Sequence, residues 1–192
     1  MSYLIFDTET TGFPSKGLPS SDPRQARIVQ LAFLLLDKNF KEISCFKSLV
    51  RLPVGKEIAE GARQAHGISS VDCDRHGEHI SNIMPLFNSH LNRAELVVAH
   101  NIKFDSQLID IENQQSDFKV DWRQRKFICT MELMTPICKL PSQRQTYKWP
   151  KLQEAYNYCF KEDFKGAHDA LSDVRATARV LRWLVDNRHV SL

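Results

Sequence analysis

The order of apolar segments predicts an α/β domain built on a mixed sheet of five strands. A short apolar strand at residues 3–6 opens the chain, two longer apolar segments follow it, and helical periodicity then alternates with two more strands. The first strand is expected near the middle of the sheet. With 192 residues, 42% of them hydrophobic, the chain suffices for one core, and residues 1–192 are predicted to form a single domain.

The first half of the predicted sheet follows from a loop and a hairpin. Residues 12–26 are rich in Pro, Gly and Ser and predict a loop. Residues 28–36 and 40–52 are rich in apolar side chains and are separated by Asp-Lys-Asn, which predicts an antiparallel hairpin. Residues 58–66 predict a short helix that Gly61 weakens.

The middle of the chain alternates helices with short strands. Apolar residues repeat at helical spacing over residues 79–92, and residues 96–99 form a short apolar strand. A second helical face follows that strand, and residues 127–129 predict a fifth strand. The side chains that define these two helical faces are Ile80, Ile83, Phe87, Leu91, Phe104, Leu108 and Ile111.

The last third of the chain is predicted to hold an irregular connection and two helices. Three prolines within residues 136–150 favour an irregular segment. Residues 152–159 carry a helical pattern, and residues 171–185 carry the strongest one, with apolar side chains three and four positions apart.

Charge excludes a broadly basic nucleic-acid-binding protein, because the net charge is only +3. Two short basic stretches, residues 122–127 and 144–151, leave two interpretations open. They can be solvated surface, or they can be a track for a single strand with phosphates on Lys and Arg and bases on Tyr147 and Trp149.

Cysteine usage and the chain start predict a cytoplasmic protein with no membrane partner. The five cysteines are scattered and form no CxxC pair, which favours reduced thiols. No basic segment leads into an apolar signal sequence, and no apolar run approaches the roughly 20 residues of a membrane span. The Cys and His residues within 73–79 lack the second ligand pair of a structural zinc site.

Four acids and one histidine suggest a metal site. Asp7 and Glu9 stand at positions i and i+2, so on an extended chain they share a face, roughly 6.6 Å apart. Paired carboxylates repel each other, and a divalent cation bound by oxygen ligands relieves that repulsion. Asp105 lies within one helical turn after the strand at 96–99 and would join them if the two strands are neighbours. Asp173 follows His168 by five residues at the start of the final helix.

Three separated motifs resemble the DEDDh, or DnaQ-like, 3′–5′ exonucleases, and they occur in that family's order. They are DTETTG at residues 7–12, HNIKFD at residues 100–105 and HDALSD at residues 168–173. Shorter similarities occur at residues 65–68 and 151–154. The resemblance implies a ribonuclease-H-like fold, with a five-stranded mixed sheet and helices on both faces.

The resemblance also implies that the four acids hold two divalent cations, Mg²⁺ or Mn²⁺, across the scissile phosphate. Those acids are Asp7, Glu9, Asp105 and Asp173. His168 would be the general base, since imidazole titrates near neutral pH. A sister subfamily has Tyr four residues before its last acid. In this chain that position is Asp169, and the histidine lies five residues before the last acid, which fits the histidine subfamily. Asp169 itself is better interpreted as a helix-capping charge.

Substrate contacts are implied at six further positions, each with a structural alternative. The backbone of Thr10, Thr11 and Gly12 would cradle the terminal nucleotide, or simply form a turn. His66 would contact that nucleotide or serve packing. For His100 and Asn101, the alternatives are contact with the substrate and a role as local hydrogen-bonding scaffold.

The implied function is a metal-dependent exonuclease that releases nucleoside 5′-monophosphates from a 3′ end, with single-stranded DNA favoured in a proofreading-type role. RNA trimming or oligoribonuclease-like activity is the alternative, and a DNA polymerase or a second copy of the chain are candidate partners. A phosphatase with Asp7 as nucleophile would need Asp rather than Glu9 at the i+2 position. A non-catalytic nucleic-acid-binding module would be expected to have lost at least one acid.

Overall fold

The computed structural model describes residues 1–116, 118–122, 125–143 and 146–191. Its five strands form one mixed sheet in the order β3-β2-β1-β4-β5, with β1 in the middle as predicted. The β1–β2 and β2–β3 pairs are antiparallel, whereas β1–β4 and β4–β5 are parallel. The strands are β1 (Ser2–Thr10), β2 (Ile28–Asp37), β3 (Glu42–Leu49), β4 (Leu96–Ala99) and β5 (Lys126–Cys129).

Helices occupy the connections after β3. They are α1 (Glu60–His66), α2 (Ser70–His76), α3 (Ile80–Arg93), α4 (Ile102–Gln115), α5 (Thr130–Cys138), α6 (Leu152–Phe160) and α7 (Ala170–Asp186). In the described part of the chain, no helix combines the length and the hydropathy that crossing a bilayer requires.

The side chains of β1 point alternately into two apolar layers, one on each face of the sheet. Leu4 and Phe6 pack in one core cluster with side chains of α3 and α4, among them Phe87. Tyr3 and Ile5 pack on the opposite face with α7. Successive side chains of a strand point to opposite faces, so helices cover both faces of the sheet, as predicted. Asp7 and Glu9 have the same parity as Tyr3 and Ile5 and therefore belong to the α7 face.

The first strand is longer than the apolar pattern predicted. Pairing with β2 continues through Glu9 and Gln30 to Thr10 and Ile28, with a register shift between Glu9 and Thr10. The two acids therefore lie within β1 rather than behind it. Hydrophobicity marks only the buried part of a strand, whereas antiparallel hydrogen bonding extends it through polar residues.

Two helices, α2 and α5, were not predicted from the sequence. Helix α2 begins with a capping box in which Ser69 and Asp72 exchange hydrogen bonds. Helix α5 contains Pro136, so the expectation of an irregular segment over all of residues 136–150 is wrong at its start. The helix continues for two residues beyond the proline to Cys138 and is capped by Lys139, which adopts a left-handed conformation with φ +50°. Pro136 removes one hydrogen bond of the helix, and the helix stops within three residues of it.

The two basic stretches fall partly outside the described residues, because Arg123, Gln124, Arg144 and Gln145 are not described. All five cysteines are free thiols.

Candidate active site

Strands β1 and β4 bring the acids of the first and second motifs together. The two strands are parallel neighbours, with Ile5 opposite Val98, so the condition for the convergence of Asp105 with Asp7 and Glu9 is met. Helix α4 starts three residues after β4 and carries Asp105 in its first turn. The backbone N–H and the hydroxyl of Thr8 both donate to Asp105 Oδ1, at 3.0 and 2.8 Å. Asp105 is thus buried directly against the acidic end of β1.

The start of α7 supplies the remaining acid and the histidine. Asp169 caps the helix, as predicted, by accepting a 3.1 Å hydrogen bond from Ser172 N–H. Asp173 lies in the first turn, and its Oδ2 accepts a 3.3 Å hydrogen bond from the backbone N–H of His168. His168 is exposed and left-handed, with φ +67°. Potential ligand atoms of Glu9, His168 and Asp173 all lie within 4.8 Å of one another.

The four acids resist ionisation because Asp105 is buried and the other three are half-buried close to one another. Burial, followed by the charges of Asp105, Asp173 and Glu9, raises the pKa of Asp7 well above its usual value. Burial and Asp173 raise the pKa of Glu9 to about 8. Burial raises the pKa of Asp105 to about 7 despite the hydrogen bonds from Thr8, and it raises the pKa of Asp173 to about 6. Bound positive charge would reverse these shifts.

The donor set fits a hard divalent cation. Asp173 Oδ1 is buried and has no hydrogen-bond partner among the described residues. A buried carboxylate oxygen without a donor is costly, and a cation at that oxygen would remove the cost. Carboxylate oxygens from two strand-end acids and two helix acids, with an imidazole beside them, suit Mg²⁺ or Mn²⁺.

The turn after β1 is fixed by the side chain of Thr10 and by residues at the two ends of α1. Thr10 Oγ1 donates to Gly12 O at 2.8 Å, and Ala59 N–H donates to Thr11 O at 2.8 Å. Gly12 has φ +150°, which side-chain-bearing residues rarely adopt. His66 Nδ1 accepts from Ile68 N–H at 3.0 Å, so Nε2 carries the proton and donates to Thr10 O at 3.1 Å. Burial lowers the pKa of His66, which favours this neutral form.

A buried ion pair supports the same turn from α4. Nε and Nη2 of Arg27 donate to the two carboxylate oxygens of Glu112, at 3.0 and 2.5 Å. Glu112 also accepts from Ile28 N–H at 3.0 Å, and Arg27 N–H donates to Thr11 Oγ1 at 2.9 Å. The start of β2 is therefore tied to both α4 and the Thr11 turn.

His100 is held by protein groups on both ring nitrogens. Nδ1 lies 3.0 Å from Thr130 Oγ1, and Nε2 lies 2.9 Å from Pro150 O. Burial lowers the pKa of His100 to about 4, so the ring is neutral near pH 7. Asn101 is half-buried and left-handed, with φ +81°, and it makes no side-chain cap at the start of α4.

Three residues of the site were missed by sequence reasoning. Gln30 Oε1 accepts from Ala170 N–H at 2.9 Å and thereby attaches the start of α7 to β2. Gln30 is the one polar side chain in the apolar run 28–36, and this exception was the signal in the sequence that could have identified it. Lys47 forms a 2.7 Å ion pair with Asp169, 122 residues away, which no local pattern shows. Phe13 is 89% exposed and packs edge-on against Phe104 beside the Gly12 turn.

This sheet order, with acids at the carboxyl end of its central strand and on the helices that face it, defines the ribonuclease-H-like fold of the exonucleases. The RNase_T family model, described as Exonuclease, matches residues 4–181, and the chain belongs to that family. The resemblance to the DEDDh exonucleases is thereby confirmed. Among curated protein sequences, none matches this chain significantly.

Solved structures of exonucleases share the fold at low sequence identity. E. coli Exonuclease I in complex with a dT13 oligonucleotide is 20% identical with a TM-score of 0.75, over 97% of this chain and 41% of that one. Exonuclease I from Methylocaldum szegediense is 19% identical with a TM-score of 0.73, again over 97% and 41%. The nuclease domain of 3′hExo bound to rAMP, a DEDDh family member, is 18% identical with a TM-score of 0.71, over 97% and 92%. The chain thus spans about two fifths of the length of Exonuclease I.

Proposed function

We propose that this chain is a metal-dependent 3′–5′ exonuclease that hydrolyses phosphodiester bonds at the 3′ end of nucleic acid and releases nucleoside 5′-monophosphates. The observation that carries the proposal is the convergence of four acids from β1, α4 and α7, of which Asp105 is buried and the other three are half-buried, with His168 beside Glu9 and Asp173. A phosphodiester is an anion, so such a cluster repels it until cations are bound.

The residues divide the chemistry between them. Asp7, Glu9, Asp105 and Asp173 would hold two divalent cations, which when bound supply an activated water and stabilise the departing 3′ oxygen. His168 stands at the exposed mouth of the cluster, where its imidazole can accept the proton of the attacking water. Thr8 fixes the Asp105 carboxylate, and the His168 N–H fixes that of Asp173.

The terminal nucleotide is assigned to the turn formed by Thr10, Thr11 and Gly12, whose backbone is held from three sides. The hydrogen bonds of His66 and His100 favour the scaffold alternative for both rings, because each ring nitrogen already serves a protein group. Asn101 stands at the same edge of the sheet, directly before the helix that carries Asp105.

Single-stranded DNA in a proofreading-type role is the substrate we favour, in keeping with the oligonucleotide complexes of Exonuclease I. RNA trimming is the second candidate, because the 3′hExo domain, of which this chain covers 92%, was solved with rAMP. We further propose a single exonuclease domain over residues 1–192 in the cytoplasm, where five free thiols stay reduced. A DNA polymerase or a second copy of the chain are the proposed protein partners.

The decisive experiment uses end-labelled single- and double-stranded DNA and RNA oligomers with Mg²⁺, Mn²⁺ or chelator. We expect a ladder that shortens stepwise from the 3′ end, only with metal present, and the polymer that gives it identifies the substrate. Hydrolysis of a simple phosphomonoester without such a ladder would contradict the proposal and favour a phosphatase.

Replacement of His168 tests its role as base. We expect His168→Ala to lower turnover by roughly 10²–10⁴-fold, since the imidazole assigned to take the proton is removed. Metal binding measured by calorimetry should change little, because the four carboxylates remain. His168→Asn is the matched control, because Asn tolerates the left-handed backbone at this position. Near-normal turnover in both variants would remove His168 from the mechanism.

A further inference from the structure

Between α5 and α6 lies an exposed aromatic loop, which we define as residues 146–150. Tyr147 is 48% exposed and Trp149 is 64% exposed, with Lys148 between them. Of the three tryptophans, all of which are described, Trp149 alone is exposed. Single exposed apolar residues are ordinary, but two aromatic rings at positions i and i+2 form a patch.

The aromatic loop has a defined position because its middle residue and its last residue are fastened. Lys148 N–H donates to Leu140 O at 3.1 Å, and Lys148 Nζ meets Glu154 Oε1 at 2.7 Å. Pro150 is buried, and its carbonyl accepts from His100 Nε2 at 2.9 Å. Trp149 is therefore exposed next to an anchored residue rather than at a free end.

The same hydrogen bond places the aromatic loop beside the site. His100 directly follows β4, and the helix that starts at Ile102 carries Asp105. A strand whose 3′ end lies among the acids can therefore continue over the loop, on the β5 side of the sheet. A depression of about 630 Å³ is lined by Tyr147, Lys148 and Trp149 together with Pro141, Ser142 and Gln143. That volume is in the range of natural ligand sites.

The charge around the aromatic loop suits a nucleic-acid backbone. Lys139, Lys148 and Lys151 are exposed on the segment between α5 and α6, and Glu154 compensates part of their charge. Single-strand sites combine such cations with aromatic faces on which bases stack, whatever the sequence. An apolar protein partner would not use the lysines.

From these observations we infer that the aromatic loop is a stacking platform for single-stranded nucleic acid, which binds the nucleotides upstream of the 3′ end. The inference rests on the proposed exonuclease function and adds a length preference to it. Oligomers that reach Tyr147 and Trp149 bind more tightly than dinucleotides, which occupy only the acidic cleft.

Kinetics with two substrates test the platform. For a DNA single strand of about 12 nucleotides, we expect Trp149→Leu to raise KM roughly 5- to 100-fold, the effect of removing one stacked aromatic. KM for a dinucleotide and kcat for both substrates should stay within about twofold of the wild type. Trp149→Phe is the matched control, since it keeps an aromatic face and should retain most of the affinity.

Fluorescence provides a second measurement that does not depend on turnover. In an inactive Asp7→Asn background, the 12-nucleotide strand should quench tryptophan emission, and the quenching should disappear with Trp149→Phe. An equal KM for the long strand in Trp149→Leu and wild type, with the 3′ ladder intact, would overturn the platform alone. Absence of a 3′ ladder with the wild-type protein would overturn the proposed exonuclease function. The fluorescence measurement would still test independently whether the aromatic loop binds single strands. Unquenched emission would overturn the platform and leave the loop as a protein-docking surface.

Discussion

At the scale of single residues, the site is defined by carboxylates that the fold holds in a costly state. Each of the four acids has a raised pKa because burial removes water and the neighbouring acids repel ionisation. The folded chain without metal therefore binds more protons than the unfolded chain at the same pH. Perturbed pKa values of this kind, with a specific set of charged neighbours, are typical of functional sites.

This charge state predicts how stability depends on pH. A raised folded-state pKa contributes stability that is present at low pH and is lost as pH rises through that pKa. With chelator, the melting temperature should therefore fall from about pH 5 to about pH 8, the range that contains the values of about 6, 7 and 8 for Asp173, Asp105 and Glu9. Thermal denaturation at several pH values measures this.

Two controls belong to the pH experiment. Millimolar Mg²⁺ should flatten the decline, because the cations favour the ionised carboxylates. Glu9→Gln should flatten the upper end of the range, since it removes the group with a pKa of about 8. A melting temperature that rises over this range in chelator would show that the acids are not buried together.

At the scale of secondary-structure elements, the position of α7 decides whether the site forms. This helix carries Asp173 and follows His168, and its first N–H groups are satisfied by Asp169 and by Gln30 on β2. Lys47 on β3 holds Asp169 in turn. Two strands of the hairpin thus fix the beginning of a helix more than 120 residues later in the chain.

Gln30→Leu tests this attachment. The change leaves the buried Ala170 N–H without an acceptor, so we expect a loss of about 1–3 kcal/mol in the free energy of unfolding, together with reduced turnover. Urea denaturation and the 3′ ladder assay measure the two effects. Lys47→Met is the control, because its half-exposed ion pair should contribute at most about 1 kcal/mol. Equal stability losses in the two variants would contradict the special role of Gln30.

At the scale of the whole molecule, the small net charge of +3 is unevenly distributed. Acids concentrate at the carboxyl ends of β1 and β4, and exposed lysines flank the aromatic loop next to them. Such an arrangement binds a strand through few phosphate contacts and relies on metal at the cleavage point.

The salt dependence of binding should be correspondingly shallow. If Lys139, Lys148 and Lys151 provide the phosphate contacts, the slope of log K against log salt is expected near −2, since each contact contributes roughly 0.7 for single strands. Lys151→Ala should reduce the slope by about 0.7. Lys38→Ala is the control, because Lys38 follows β2 at the opposite end of the sheet from Glu9. An equal change of slope for Lys38→Ala would argue against phosphate contacts by the lysines around the aromatic loop.

The sequence by itself determined the α/β class, the central place of β1 and the family, because apolar periodicity and three spaced motifs are local signals. It also determined which acids are present, but their meeting in one cleft, the extension of β1 through Thr10 and the anchoring of α7 by Gln30 were decided by the tertiary structure. The physical reason is distance along the chain. Hydrogen bonds between residues 97 or 140 positions apart depend on how strands pair and helices pack, and no window of neighbouring residues contains that information.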